Sequence, residues 1–403
     1  MRGLRVLLAN ESGGGRGHVT TLRAAAMALG AEATVIAALG RDVYASELAL
    51  FCTRMVKAPL LRRPLHLRAP LGPVGSATWG DVLGGLGLGD PRKLRRGMAF
   101  WRKLIVEEDI SLLIADLAPL ALCAARGLRE EGWAIRTVNL GVGYTVPPPH
   151  LPAYPPYLAD FTRTFFPEEE TRDAINRTGA AFSMPTLPAL PALQDADLSL
   201  ACSFPFLDPF CDSRTPSDRI APLVPAARES PGSGDEVFVY FSTAELCDPA
   251  LVDALERLPL PRRGFVPSAP TEVKARLQAS GMVLLDRPAS ADEIAARSRL
   301  IIHAAPHGTV SLAALAGLPQ FAVPQHLEQI YNARQTAAQG ILAHAQPGSP
   351  DLLEQILAAS ENRIMAERAA DLSATLRGQH PPDPIAVLGN RLHDLASAVL
   401  AEL

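Results

Sequence analysis

Residues 299–340 read RLIIHAAPHGTVSLAALAGLPQFAVPQHLEQIYNARQTAAQG, and the punctuation of this stretch decides how the chain folds. A short apolar run rich in branched side chains ends at His303, the length of a buried strand rather than of a helix. Gly308 and Thr309 open a helix that continues through Leu312, Ala313 and Leu315 until Gly317 stops it. A second apolar run at 320–323 closes at Pro324, and Glu328 and Gln329 stand at the following helix start, with Asn332 one turn further on. Strand, crossover helix and strand in this order describe a parallel sheet. Where a strand gives way to a helix, the first helical amides and the Thr309 hydroxyl form a cradle for a diphosphate, with a plain helix cap as the competing reading.

The same alternation extends in both directions. Apolar runs at 237–241, 264–266, 282–285, 300–303 and 320–323 read as strands with helices between them. Upstream, 4–9, 33–38, 111–115, 134–140 and 198–201 do likewise, and within 90–107 Leu94, Met98, Trp101 and Ile105 share one helical face. The proline-dense VPPPHLPAYPP at 146–156 reads as a surface loop, because the alternation resumes after it. Residues 209–235, which contain SRTPSDR and ARESPGSGDE, lack hydrophobic periodicity and read as a linker. The expected fold is α/β, with a Rossmann-like domain over 1–208, the linker at 209–235, a second Rossmann-like domain over 236–385 and a C-terminal helix over 386–403. Two such domains with parallel sheets facing each other leave an interdomain cleft, a frequent place for small-molecule sites.

The first strand-to-helix junction, LLANESGGGRGHVTTL at 7–22, carries a run of glycines closed by a histidine. A dinucleotide-binding G-x-G-x-x-G counted from Gly13 and Gly15 would need its third glycine where His18 stands, and counted from Gly15 and Gly17 it meets Thr20. Both registers fail. What remains is an imidazole at a helix start on the carboxyl edge of the first strand, where open α/β sheets place their ligands. A helix N-terminus disfavours imidazolium, so a histidine here tends towards the neutral, base-competent form, and position alone leaves a histidine that caps a turn and faces water as the competing reading.

With 403 residues, 48% apolar and 20% charged, the chain is globular and large enough for two domains. Its net charge of −4 argues against a general nucleic-acid binder. The charge is unevenly placed, however: 54–103 holds eleven Lys or Arg against two Asp, an excess of nine that leaves −13 for the remainder. Such an excess is first read as an ordinary solvated helix face, and it would also suit an acidic small molecule or an anionic membrane surface. Cys52, Cys123, Cys202, Cys211 and Cys247 are odd in number and form no C-x-x-C pair. With neither a secretory pattern at the N-terminus nor a spanning apolar run, the expected location is cytoplasmic. His303 and His307 have the spacing of a helical metal pair, but Pro306 and Gly308 break that helix and no D-x-D cluster exists. No metal and no resident cofactor are expected.

Residues 299–340 resemble the donor-binding signature of GT-B glycosyltransferases of the bacterial UDP-glycosyltransferase type. The resemblance rests on Gly308-Thr309, Ala314-Leu315, Gly317, Pro319, Pro324, Glu328-Gln329, Asn332-Ala333 and Gly340 at their expected spacing. Outside this segment RGHVTTLRAAAMAL resembles the family's opening G-H motif, and LLIADLAPLALCAARGL its acceptor-domain segment. In HAAPHGT the family's paired glycines are replaced by alanine and proline.

The resemblance implies His18 as general base and Asp116 as the carboxylate that orients it. It implies Thr243, Gly308, Thr309 and either His303 or His307 on the donor diphosphate, Glu328 and Gln329 on the donor sugar, and Gly17, Ser242, Arg287 and Asn332 in the donor cleft. The implied activity is inverting, metal-independent hexosyl transfer from a UDP- or dTDP-linked sugar to a hydroxyl or other nucleophile of a small molecule. A nucleotide-sugar 2-epimerase of the same architecture and a non-catalytic nucleotide-sugar-binding protein are the alternatives.

Overall fold

In the computed structural model, which describes residues 3–13, 15–31, 33–61, 77–161, 163–227 and 234–402, the alternating runs become two parallel sheets. The first contains β1 (Arg5–Asn10), β2 (Thr34–Leu39), β3 (Arg54–Lys57), β4 (Leu112–Ala115), β5 (Arg136–Gly141), β6 (Leu198–Cys202) and β7 (Arg219–Ile220), in the order β3-β2-β1-β4-β5-β6-β7. The second contains β8 (Glu236–Tyr240), β9 (Arg262–Phe265), β10 (Val283–Leu284), β11 (Ser298–His303), β12 (Gln320–Ala322) and β13 (Leu342–His344), in the order β10-β9-β8-β11-β12-β13. Each sheet grows outward from its first strand in one direction, then returns to the middle and grows in the other. The reversals fall between β1 and β4 and between β8 and β11. At such a switch point the crossovers leave on opposite faces and their loops part, opening a crevice beyond the strand ends.

Both faces of each sheet are covered, which is why the strands read as continuous apolar runs rather than as alternating ones. In the second sheet Val237, Val239, Leu300 and Ile302 pack into one layer, while Phe238 and Ile301 join Ala313, Ala316 and Leu318 in the other. In the first, Val6, Leu8, Leu112, Ile114, Val138 and Leu140 share a core with Leu22, Ala25 and Leu29 of the helix Arg16–Leu29. The helix Pro91–Glu107 begins where the sequence places it. The Asp90 carboxylate accepts the Arg92 N–H at 2.9 Å, and Leu94, Met98, Trp101 and Ile105 are buried.

The chain packs as two compact units, Met1–Leu223 with Ile385–Leu403, and Val224–Pro384. Within the expected 209–235 linker, Arg219 pairs with Ala201 as the edge of the first sheet, and Ala227 lies in the core of the second unit. Its 228–233 portion, and the 62–76 portion of the basic stretch, lie outside the described residues. The last helix is Pro384–Glu402, and Leu388, Leu392, Ala396 and Val399 pack it into the core of the first unit.

The proline-dense loop is not simply superficial. Val146 is buried and its carbonyl accepts an N–H from Arg214 at 2.7 Å. The same guanidinium is paired with the buried Asp208 carboxylate, Nε to Oδ2, at 2.7 Å.

Candidate functional site

The ends of β1 and β4 lie level across the first switch point, with Ala9 opposite Ala115. The next residues of each strand end are therefore neighbours. Asp116 donates its N–H to the Ala9 carbonyl at 3.0 Å, and its own carbonyl accepts Asn10 Nδ2 at 2.9 Å. Beyond β1 the chain passes through Gly13 and enters the helix Arg16–Leu29, whose first turn carries His18. His18 Nδ1 stands 3.1 and 3.0 Å from the two Asp116 carboxylate oxygens. A nitrogen facing a carboxylate is a donor, so the neutral ring carries its proton on Nδ1 and leaves Nε2 as the acceptor. The histidine side chain is 24% exposed and the carboxylate 2%, which puts the basic end of the pair towards solvent and the anchoring end inside.

Gly13 has a reason of its own to be glycine. Its φ is +99°, and a Cβ there would lie 2.2 Å from His18 Cδ2 and Nε2. The imidazole rests against bare backbone, in a conformation that L side chains rarely adopt.

At the second switch point His303, level with Tyr240, is fully buried. Its Nδ1 accepts the Ala305 N–H at 2.7 Å, so Nε2 carries the proton and donates to Gln320 Oε1 at 3.0 Å. Burial pushes this imidazole down to about 4, holding it neutral. With both ring nitrogens committed inside the protein, His303 buttresses the loop and offers no nitrogen to a ligand. Ala305 sits at φ +60°, and its carbonyl accepts Asn332 Nδ2 at 3.1 Å. Residues 304–306 are thus clamped between β11 and the helix Leu327–Ala338.

The helix His307–Leu315 then begins behind Pro306 with no side-chain cap. His307 is buried, Thr309 is half-buried and Gly308 is exposed, with only Val224 Cγ1, at 4.0 Å, near the place its Cβ would occupy. First-turn amides on an open, side-chain-free surface can receive an anion. After the neighbouring strand β8, Ser242 is buried, and its carbonyl accepts the Ser268 hydroxyl at 2.8 Å. The Thr243 N–H is taken by Glu245 Oε2 at 2.7 Å. On the other side, Gln329 Oε1 accepts the Gln325 N–H at 2.7 Å, while Glu328 is half-buried beside it. Arg287 follows the edge strand β10, with its side chain 80% exposed and 4.0 Å from Glu293.

No protein-family model and no curated protein sequence matches the chain. Solved structures do. The calicheamicin glycosyltransferase CalG4 is similar with a TM-score of 0.68 at 15% identity, over 100% of both chains. The spinosyn rhamnosyltransferase SpnG, complexed with spinosyn aglycone, has a TM-score of 0.61 at 18% identity, covering 97% of this chain and 100% of that one. The glycosyltransferase VinC, in complex with dTDP, has a TM-score of 0.61 at 16% identity, covering 98% and 100%. The chain has the GT-B glycosyltransferase fold.

On this GT-B chain the expected site residues fall into two groups. His18 and Asp116 meet at the switch point of the N-terminal Rossmann-like unit, where Gly17 is exposed on the same helix turn as His18. Ser242, Thr243, His307, Gly308, Thr309, Glu328, Gln329 and Asn332 follow three neighbouring strands of the C-terminal one. Arg287 stands apart at the sheet edge. Glu11 and Glu245 carry no motif and were not expected. Glu11 is buried and accepts the Leu120 and Ala121 amides, and Glu245 takes the amide of an expected phosphate ligand. Among the described residues no group of three His, Cys, Asp or Glu comes together as a metal site, and no helix is long and apolar enough to cross a membrane.

Proposed function

We propose that this chain transfers a sugar from a nucleotide-diphosphate donor to a small-molecule acceptor, with inversion at the anomeric carbon. The observation that carries the reading is the His18–Asp116 contact at the first switch point. It is a base whose second nitrogen is already committed to a buried carboxylate. The acceptor O–H would lose its proton to His18 Nε2 as its oxygen bonds to the anomeric carbon. The bond from that carbon to the diphosphate breaks in the same step, and the electron pair leaves with the diphosphate. Asp116 keeps the tautomer and balances the imidazolium that forms.

On the donor side we assign the leaving diphosphate to the helix start at His307, Gly308 and Thr309, together with the Thr243 hydroxyl. The Thr243 amide is already engaged by Glu245. His303 acts behind this loop as its support. Glu328 is assigned to the sugar hydroxyls, with Gln329 fixing the turn that presents it. The dTDP complex of VinC and the aglycone complex of SpnG favour a dTDP- or UDP-linked donor and a natural-product-like acceptor. Amides and hydroxyls at the diphosphate make the transfer metal-independent.

The test is turnover of UDP- and dTDP-sugars with and without a panel of hydroxylated acceptors, before and after EDTA. Acceptor-dependent release of nucleoside diphosphate, an inverted glycosidic product and survival in EDTA are expected. Epimerised sugar nucleotide in the absence of acceptor, or donor binding with no turnover on any acceptor, would overturn it.

A further inference from the structure

The helix Pro119–Glu130 starts badly on its own terms. Its N-cap is Ala118, which has no side chain able to accept a hydrogen bond, and its first residue is a proline. An alanine N-cap leaves first-turn amides in need of an acceptor. That acceptor arrives from another strand. Glu11, just past β1, is buried, and its two carboxylate oxygens accept the Leu120 N–H at 3.1 Å and the Ala121 N–H at 2.9 Å.

Glu11 is also held through its backbone. Its N–H donates to the Leu117 carbonyl at 3.2 Å, and its own carbonyl accepts the Leu61 N–H at 2.7 Å. Leu117 itself sits at φ +50°, a left-handed conformation uncommon for a residue with a branched side chain. The residue between Leu117 and β4 is Asp116, and the residue before Glu11 is Asn10, which holds the Asp116 carbonyl. Among the described residues, Asn10 and Glu11 thus tie the strand end that leads to His18 to the segment that carries Asp116, beside the Asp116–Ala9 bond.

We propose that Glu11 is a positioning residue: by capping the helix after Asp116 from the strand end that leads to His18, it sets the separation and aim of the His18–Asp116 pair. A carboxyl group is costly to keep at this depth, since burial pushes it up to about 8 despite the two amides. An ordinary local cap at position 118 would serve the helix start without burying a carboxyl group, but it would not join the two strand ends. The inference rests on the proposed role of His18 in transfer, so its test includes a readout that needs no turnover.

Glu11→Gln keeps the size and leaves one oxygen, so one amide meets an NH2 instead of an acceptor. In this variant kcat should fall about 10- to 100-fold, the scale of a small misplacement of reacting groups. The Kd for dTDP or UDP by calorimetry should stay at the wild-type value. The ring 15N shifts of His18 should lose the signature of an Nδ1–H donated to a carboxylate.

The double variant Glu11→Gln with Ala118→Ser separates capping from positioning, because serine offers the helix a local cap. Recovery of thermal stability with kcat and the His18 shifts still displaced supports the proposal. Recovery of all three shows that Glu11 is only a cap and overturns it, as do wild-type His18 shifts in Glu11→Gln alone. If wild-type protein turns over no acceptor, the transfer reading fails on its own, while the 15N comparison still decides whether Glu11 positions the pair. If Glu11→Gln does not fold, the double variant carries the same comparison.

Discussion

A histidine that is to take a proton on one nitrogen needs the other held in a fixed protonation state, and in this chain Asp116 does so from a buried position. His18→Ala should therefore lower kcat by about two to four orders of magnitude, the usual worth of a placed general base. Nucleoside diphosphate binding, measured by calorimetry, should be unchanged, because the residues assigned to it belong to the other unit. Equal turnover in mutant and wild type would remove His18 from the mechanism. His18 stood out in the sequence as an imidazole closing a glycine run at a strand-to-helix junction, but position alone suited a turn-capping histidine as well, and the resemblance to the G-H motif is what singled it out. The reason for Gly13 was not legible there, since only the fold brings the His18 ring to the place a side chain at 13 would occupy. Nor was the fate of His303. Its neighbours in sequence suggested a ligand contact, and the partner that engages its Nε2, Gln320, lies seventeen residues away on the next strand.

The loop after β11 shows an element holding a conformation that glycine would suit better than the residue present. Ala305 occupies one of the two positions where the family pattern has glycine, and it retains a φ of +60°. The strand-end histidine and Asn332 hold its amide and its carbonyl. A left-handed residue with a Cβ costs roughly 1–2 kcal/mol. Glycine removes that cost while adding freedom to the unfolded chain, worth roughly 0.4–1 kcal/mol. Ala305→Gly should therefore stabilise the protein by up to about 1 kcal/mol, seen as a rise of a few degrees in Tm. A fall in Tm would show that the strain at residue 305 is smaller than the packing lost with its buried methyl.

The same logic explains which elements the sequence conceals. The central strands are covered on both faces and announce themselves as apolar runs, whereas β3 is RMVK, β7 is two residues long and β13 is LAH. These are the edge or short members of their sheets, held by hydrogen bonds to a neighbour rather than by a hydrophobic signature.

At the scale of the molecule, the one strong asymmetry is charge, and the structure redistributes it. Several cations of the 54–103 stretch are answered by acids: Arg54 by Glu108, Lys57 by Asp42 at 3.0 Å, Arg102 by Glu131, and Lys103 by Glu107 at 3.6 Å. Arg92, Arg95 and Arg96 are different. They are exposed, lie at i, i+3 and i+4 on the helix Pro91–Glu107, border a shallow groove with Pro91 and Ala99, and form no ion pair among the described residues. If the basic excess meets an acidic acceptor or an anionic membrane surface, these three, rather than Arg102 or Lys103, are the cations left open to it. Replacing all three with glutamine should weaken association with vesicles containing phosphatidylserine, or raise the KM for an acidic acceptor, while leaving donor affinity unchanged. The wild-type interaction should also weaken steadily as salt rises, because exposed charges are screened beyond roughly 8–10 Å at physiological ionic strength. If neither vesicle binding nor acceptor KM differs between the two proteins across a salt titration, the arginines only solvate the helix, and a neutral acceptor becomes the better expectation.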